Sequence, residues 1–110
     1  MPEIAKFEKI IIANWKLHGS KSFIVSYLEK IRQGIKGNND ICLIICPPFP
    51  FIKYFEGVNF KIGAQDCSIY DQGAYTGEVS AKILKELDCN FCIVGHSERR
   101  ELFNETNEIV

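Results

Sequence analysis

The sequence predicts an α/β fold in which strands and helices alternate along the chain. Four short apolar runs are separated by amphipathic segments, an alternation typical of βα units around a parallel sheet. The first two runs are almost continuously apolar, as expected for strands covered on both faces of the sheet. The 110 residues are 46% hydrophobic and 25% charged, which is an ordinary globular composition with room for one domain at most.

The first predicted unit combines a strand with an amphipathic helix. The strand is expected at residues 9–15, and the helix follows with Ser20 as its candidate N-cap. Apolar side chains recur at helical spacing from Ile24 to Ile35. A stretch rich in glycine and asparagine at 34–39 then predicts the end of this helix.

The second predicted strand, at 41–46, runs into Pro-Pro-Phe-Pro, which cannot extend a central strand because proline lacks the backbone donor. A short helix is expected at 51–55 and a third strand at 60–65. A polar loop at 66–77 follows. It is longer than the roughly 2–6 residues usual for a βα connection, and loops of unusual length are often functional.

The fourth predicted unit leads into a dense group of polar side chains. A third helix is expected from about Ser80 to Leu87. The fourth strand, at 91–94, is followed directly by Gly-His-Ser-Glu-Arg-Arg at 95–100. Beyond this polar turn, the segment 104–110 predicts the opening of another helix.

Charge and hydropathy exclude several classes of partner. Thirteen basic and fourteen acidic residues leave a net charge of −1, which favours neither nucleic acid nor an anionic membrane as a ligand. No apolar run approaches the roughly 20 residues that span a bilayer, and the first residues lack the pattern of a secretory signal. We therefore expect a cytoplasmic protein whose partner is a small molecule.

The five cysteines are odd in number and mostly lie in apolar runs, which favours reduced, buried thiols over a disulfide framework. Cys89 and Cys92 have the spacing of a zinc or redox motif. A zinc site needs about four ligands, and the chain offers His18 and His96 as its nitrogen donors. A redox motif usually follows a strand, whereas this one enters a strand. We expect no metal here.

Residues 95–100 are the strongest candidate for chemistry. Ligands of α/β proteins bind outside the carboxyl ends of the strands, where His96 is expected. A helix N-terminus carries about half a positive charge, which disfavours imidazolium. A neutral imidazole can donate a hydrogen bond to a developing oxyanion. The alternative interpretation is a histidine whose hydrogen bonds are satisfied within a polar loop.

Asn14 and Lys16 lie at the end of the first predicted strand. The period of two in strands places both side chains on one face, with Trp15 on the other. An amide beside an ammonium suits an oxyanion or a phosphate, although a solvated strand end is the alternative. In a parallel sheet, the loops after Lys16, Gln65 and His96 converge on one side.

Four segments together resemble triosephosphate isomerases, in the order and at the spacing of that family. They are Ala-Asn-Trp-Lys at 13–16, Gly-Ala-Gln-Asp at 63–66, Gly-Ala-Tyr-Thr-Gly-Glu-Val-Ser at 73–80 and Gly-His-Ser-Glu-Arg-Arg at 95–100. The resemblance covers essentially the whole chain. It implies that residues 1–110 are a single partial domain, the N-terminal half of a TIM (β/α)8 barrel, with about four of its eight βα units.

The resemblance implies a cofactor-free reaction of glycolysis and gluconeogenesis. Dihydroxyacetone phosphate and glyceraldehyde 3-phosphate would interconvert through an enediolate. His96 would be the neutral electrophile, a known feature of this family, and Lys16 with Asn14 would bind the phosphorylated triose. Glu98 would support the lysine, and Ser97 would help to cap the turn.

A homodimer is also implied by the resemblance. The loop at 66–77 would reach the active site of the partner, with Thr76 at its tip, and Glu78 would pair with Arg99 at the interface. The residues implied at this interface are Tyr75, Thr76, Gly77, Glu78 and Arg99. Without the resemblance, the loop is equally well interpreted as a mobile surface segment.

The family's catalytic glutamate, closing lid and glycine-rich phosphate loops match no position in this sequence. We therefore expect the chain alone to be incomplete and inactive, with two open sheet edges and an uncovered apolar face. One alternative is a non-catalytic half-barrel that acts as an assembly partner or phosphate-binding module. Another is a small doubly wound domain that binds a phosphorylated ligand. Such a domain would have the phosphate-binding motif Gly-x-Gly-x-x-Gly after its first strand, where this sequence has only Gly19.

Overall fold

The computed structural model describes residues 2–34 and 40–110. Within them, four strands form one sheet in the order β1-β2-β3-β4. The strands are β1 (Lys9–Asn14), β2 (Ile41–Cys46), β3 (Lys61–Ala64) and β4 (Phe91–Cys92). The helices are α1 (Pro2–Ala5), α2 (Lys21–Gly34), α3 (Ala81–Glu86) and α4 (Ser97–Phe103), with a 3₁₀ helix at Phe49–Phe55.

All three strand pairings are parallel, which confirms the predicted half-barrel of βα units. The longest pairing joins β1 and β2 from Lys9 opposite Ile41 to Asn14 opposite Cys46. The β2–β3 and β3–β4 pairings are shorter. Because the strands are parallel, their carboxyl ends lie along one edge of the sheet, where the candidate site residues were expected.

The two faces of β2 contribute to different core clusters, as the period of two in a strand requires. Ile45 packs in a cluster that includes Ile24 of α2 and Leu84 of α3. Ile44, its neighbour in sequence, belongs to a second cluster with Cys42 and Cys46. Helices therefore cover one face of the sheet with the larger of the two apolar cores.

Strand β1 leaves apolar surface uncovered. Ile10, Ile11 and Ile12 are 47%, 48% and 57% exposed, although all three lie in a strand. Within the described ranges, β1 pairs only with β2, and β4 only with β3. The expected open edges are thus present at both ends of the four-stranded sheet.

Serine side chains begin two of the helices. The backbone N–H of Phe23 donates to Ser20 Oγ at 3.1 Å, and that of Ile83 donates to Ser80 Oγ at the same distance. Both contacts satisfy a donor at a helix N-terminus that has no partner within its own helix. The predicted end of the first helix falls partly at 35–39, including Ile35, which lies outside the described residues.

The predicted helix at 104–110 is wrong. The helix lies earlier, at α4, and ends at Asn104, whose φ of 58° is left-handed. Asparagine tolerates this conformation and commonly terminates helices in it. Beyond it, a single turn forms, in which Val110 N–H donates to the carbonyl of Thr106 at 3.1 Å.

The fourth strand is shorter than the predicted 91–94. Its pairing with β3 continues by one hydrogen bond, from Ile93 N–H to the carbonyl of Ala64 at 2.9 Å. The chain then turns at Gly95, where φ is 62°. This left-handed turn separates the strand from α4 and brings His96 to the edge of the sheet.

Candidate functional site

A cavity of about 280 Å³ opens at the carboxyl edge of the sheet. Side chains that follow β1, β3 and β4 meet there, so the predicted convergence of the three loops is confirmed. The polar residues of its lining are Asn14, Lys16, Gln65, Asp66, His96, Glu98 and Arg99. Leu17 and the Pro48–Pro50 segment form the apolar part of the lining.

Lys16 reaches the cavity through a turn and not through the strand. Strand β1 ends at Asn14, and Lys16 has a φ of 55°, which is uncommon for a residue with a side chain. The Asn14 amide oxygen accepts a hydrogen bond from Lys16 N–H at 3.0 Å. The prediction that strand periodicity aligns Asn14 and Lys16 is therefore wrong, although both residues line the same cavity.

Trp15 anchors this turn on the opposite side of the chain. Its ring makes edge-to-face contacts with Tyr27 at 5.0 Å and with Phe55 at 5.6 Å between centroids. Edge-to-face aromatic pairs stabilise packing beyond the burial of area alone. The anchored indole holds the backbone from which Lys16 extends into the cavity.

Gln65 is a residue of the site that the sequence analysis did not assign. Its side-chain amide nitrogen donates to the carbonyl of Lys16 at 2.8 Å and to the carbonyl of Cys46 at 2.9 Å. One side chain after β3 thus joins the ends of β1 and β2. The position of a polar amide directly after an apolar strand could have indicated a role for Gln65. The sequence could not indicate its two acceptors, because they lie 49 and 19 residues away.

Lys16 and Glu98 form an ion pair across the cavity. Lys16 Nζ lies 2.5 Å from Glu98 Oε1, and the two side chains are 51% and 46% exposed. The hydrogen bond from Lys16 lowers the pKa of Glu98 below its ordinary value, with a further contribution from the lysine charge. Because the pair is open to water, the ammonium remains accessible to an anionic ligand.

His96 is the N-cap of α4, and its own ring supplies the cap. Nδ1 accepts a hydrogen bond from the backbone N–H of Glu98 at 3.0 Å. A ring nitrogen that accepts carries no proton, so the neutral imidazole has its proton on Nε2 and can donate from there. The expected capping role of Ser97 is wrong, because Ser97 is the first residue of the helix.

The loop at 66–77 is exposed towards its tip and has a defined shape. The rings of Tyr70 and Tyr75 stack with centroids 3.7 Å apart and planes 2° apart. Tyr75 N–H donates to the carbonyl of Gly73 at 2.9 Å. Thr76 and Gly77 follow the stacked ring and are exposed.

Arg99 forms its ion pairs within the chain. Its Nε lies 3.0 Å from Glu105 Oε2, and Nη2 lies 3.4 Å from Asp66 Oδ2. Its guanidinium carbon is 4.2 Å from the centre of the Phe103 ring. Among the described residues, the ion pairs of Arg99 do not include Glu78.

The carboxyl of Asp66 has a raised pKa. Burial is the main cause, and the charge of Arg99 opposes it without reversing the direction. The side chain of Asp66 is 22% exposed and that of Glu105 is 15% exposed. This cluster is therefore far less hydrated than the Lys16–Glu98 pair on the cavity.

The five cysteines are free thiols. Burial raises the pKa of Cys46 to about 11 and that of Cys92 to about 12. Both are protonated at neutral pH, and the thiolate is the form that attacks or binds metal. Over the part of the chain that the structure describes, no group of His, Cys, Asp and Glu is arranged to hold a metal ion.

The fold and the site define a half-barrel of parallel βα units with a cluster of charged and amide side chains and a histidine at the carboxyl edge of its sheet. A family model described as triosephosphate isomerase matches residues 9–110. The chain therefore belongs to the triosephosphate isomerase family. Among the described helices, none is long and apolar enough to cross a membrane.

Three curated relatives named triosephosphate isomerase illustrate the similarity. The Dictyoglomus turgidum protein is 41% identical over 106 residues, which cover 93% of this chain and 43% of the relative. The protein from Azoarcus sp. strain BH72 is 41% identical over 106 residues, which cover 93% of this chain and 42% of the relative. The Nitrosomonas europaea protein is 41% identical over 104 residues, with 91% and 41% covered. The chain thus spans less than half the length of these relatives.

Proposed function

We propose that this chain supplies the carbonyl-polarising and anion-binding part of a triosephosphate isomerase site. One observation carries the proposal: Lys16 and a histidine whose neutral form has its proton on Nε2 line the same cavity. A fixed cation beside a neutral donor suits a substrate that carries both a phosphate and a carbonyl. The substrates would be dihydroxyacetone phosphate and glyceraldehyde 3-phosphate.

The proposed reaction moves one proton between neighbouring carbons and a second proton between the oxygens on those carbons, by way of His96, through an enediolate. When the carbon beside the carbonyl loses its proton, negative charge develops on the carbonyl oxygen. The Nε2–H of His96 donates to that oxygen, and the Lys16 ammonium offsets the charge of the enediolate and the phosphate. Loss of one such preorganised donor typically costs about 100-fold or more in kcat.

Asn14 and Glu98 have supporting roles in this proposal. The Asn14 amide accepts from the Lys16 backbone and holds the turn that carries the ammonium. Glu98 balances the lysine charge before the ligand arrives. An anionic substrate would then share the ammonium with this carboxylate, and no cofactor enters the reaction.

Turnover also needs a base to accept the proton from carbon. The family's catalytic glutamate matches no position in this sequence, so we propose that the partial domain binds substrate but is inactive without a segment that supplies a carboxylate. The alternative is a non-catalytic half-barrel that binds a phosphorylated ligand or assembles with another chain. Its support is the uncovered apolar strand β1.

Two measurements on the full chain test the proposal. Titration with glycerol 3-phosphate, which has the phosphate but no carbonyl, should show binding that His96→Gln leaves within about twofold and that Lys16→Met weakens about 30-fold or more. Co-expression with the C-terminal half of the Dictyoglomus turgidum relative should restore isomerase activity, and His96→Gln should then lower kcat. Binding without any turnover by the assembled complex would favour the non-catalytic module.

We also propose that the complete protein is a cytoplasmic homodimer. The exposed loop tip with its stacked Tyr70–Tyr75 rings supports an interaction surface, because exposed aromatic side chains are common in interfaces. Thr76 and Glu78 would lie in that interface, with Arg99 close to it. Light scattering on the assembled complex should give the molar mass of two complete barrels. The mass of a single barrel at micromolar concentration would contradict the dimer.

A further inference from the structure

We propose that Arg100 is a positioning residue that holds the peptide between Gly95 and His96, and through it the orientation of the His96 ring. The proposal rests on the proposed function of His96 as a neutral donor. It concerns the second of two adjacent arginines, for which the sequence analysis assigned no role. The hydrogen bonds that this side chain makes at the start of α4 support the proposal.

The side chain of Arg100 spans two segments of the chain. Its Nε donates to the carbonyl of Gly95 at 2.7 Å, and its Nη1 donates to the Asn107 amide oxygen at 2.6 Å. The backbone N–H of Arg100 donates to the carbonyl of His96 at 3.1 Å. Arg100 therefore binds the carbonyls of two successive residues, one on each side of the His96 α-carbon.

The space around Gly95 shows how closely the guanidinium packs. A Cβ placed on Gly95 would lie 2.8 Å from Arg100 Nη2 and 2.8 Å from a methyl carbon of Val110. Its φ of 62° is also a conformation that side chains disfavour. The turn before His96 is thus enclosed by Arg100 on one side and by Val110 on another.

The link to the imidazole passes through the backbone. The carbonyl that Arg100 binds belongs to the peptide plane that also contains His96 N, so rotation of that plane changes φ of His96. The observed values, φ −55° and ψ 145°, place Nδ1 within 3.0 Å of the Glu98 N–H. If the plane rotates, the ring loses this donor, and the two neutral tautomers then interconvert as in a free ring.

Arg99 provides the contrast within the same helix. Its side chain pairs with Asp66 and Glu105, two carboxylates outside the turn. Arg100 instead binds two neutral oxygens, the carbonyl of Gly95 in the turn and the side-chain amide of Asn107. The first arginine joins α4 to the 66–77 loop, whereas the second holds the residue that precedes the candidate electrophile.

Nitrogen NMR of ¹⁵N-histidine-labelled full chain tests this role. In the wild type, His96 should show one pyridine-type nitrogen and one pyrrole-type nitrogen, whereas exposed His18 should show the averaged pair of a free ring. Arg100→Met removes both side-chain hydrogen bonds, and the His96 signals should move towards the averaged values. Arg32→Met, at an exposed arginine in the last turn of α2, should leave them unchanged.

Arg100→Lys keeps the charge but cannot reproduce the planar fork, so its His96 signals should fall between those of the wild type and Arg100→Met. If Arg100→Met does not fold, Arg100→Lys decides the question. Wild-type His96 signals in either folded variant would overturn the proposal. The measurement needs no turnover, so an assembled complex that fails to turn over substrate would count against the proposed function without affecting this test.

Discussion

Helix α4 contributes to two clusters of ion pairs that differ in their exposure to water. On the cavity, Lys16 and Glu98 are about half exposed, and the hydrogen bond from the lysine lowers the pKa of the carboxyl. Asp66 and Arg99 also line the cavity but are only 22% and 32% exposed, and burial raises the pKa of Asp66 despite the nearby arginine.

The difference shows that hydration decides what an ion pair can do. An exposed pair adds little stability, but its ammonium can exchange a carboxylate for a ligand at low cost. A half-buried cluster is harder to rearrange, because any unpaired charge left inside it is poorly solvated. We therefore expect substitutions at the first cluster to change binding and substitutions at the second to change stability.

The largest expected effect is on ligand binding by the exposed pair. Lys16→Met removes the ammonium while keeping the length of the side chain. The affinity for glycerol 3-phosphate should fall by about 2 kcal/mol or more, roughly 30-fold, in isothermal titration calorimetry. Lys82→Met, at an exposed lysine of α3, is the matched control and should bind like the wild type. Equal affinities for the two variants would remove Lys16 from the site.

Gln65 connects the exposed cluster to the sheet, so its replacement should affect stability and binding together. Gln65→Leu removes the hydrogen bonds to the carbonyls of Lys16 and Cys46 at nearly constant volume. The free energy of unfolding in urea should fall by about 2 kcal/mol, and binding should weaken as the Lys16 turn loosens. Gln72→Leu makes the same replacement in the exposed loop, where it should leave the free energy of unfolding unchanged. A wild-type unfolding midpoint for Gln65→Leu would contradict this role.

At the half-buried cluster, Glu105→Gln should change stability alone. The amide keeps an oxygen that can accept from Arg99 Nε but removes the charge, which should cost about 1 kcal/mol in urea unfolding. Binding of glycerol 3-phosphate should stay within about twofold. Glu101→Gln, on the exposed surface of α4, is the control for loss of a carboxylate. The contrast between the clusters fails if Glu105→Gln weakens binding as much as Lys16→Met does.

The smallest expected effect appears in acid. Glu98 has a folded pKa below its ordinary value of 4.5, so the contribution of its pair is present above 4.5 and is lost as pH falls through the folded pKa. Asp66 has a folded pKa above 3.8, so its contribution is present below 3.8 and is lost as pH rises through the folded pKa. Carbon NMR of both carboxyls should show these opposite displacements. Shifts in the same direction would contradict the comparison.

Most of the architecture could be predicted from the sequence because it depends on neighbouring residues. Apolar runs indicated the parallel strands, Ser20 indicated the start of one helix, and the polar segments after three strands indicated one shared site. The prediction of a helix at 104–110 was wrong because it also used only neighbouring residues. The pattern of those residues contained no information on the left-handed conformation of Asn104.

By itself, the sequence determined the family, the alternation of strands and helices, and which loops meet at one edge of the sheet. The tertiary structure alone decided how the site is held: the left-handed turn at Lys16, the two hydrogen bonds of Gln65, and the capping of α4 by His96. Lys16 and Glu98 are 82 positions apart, and Gln65 and Lys16 are 49 apart. Local periodicity specifies an element but cannot specify hydrogen bonds over such separations, because those form only when packing brings the strand ends together.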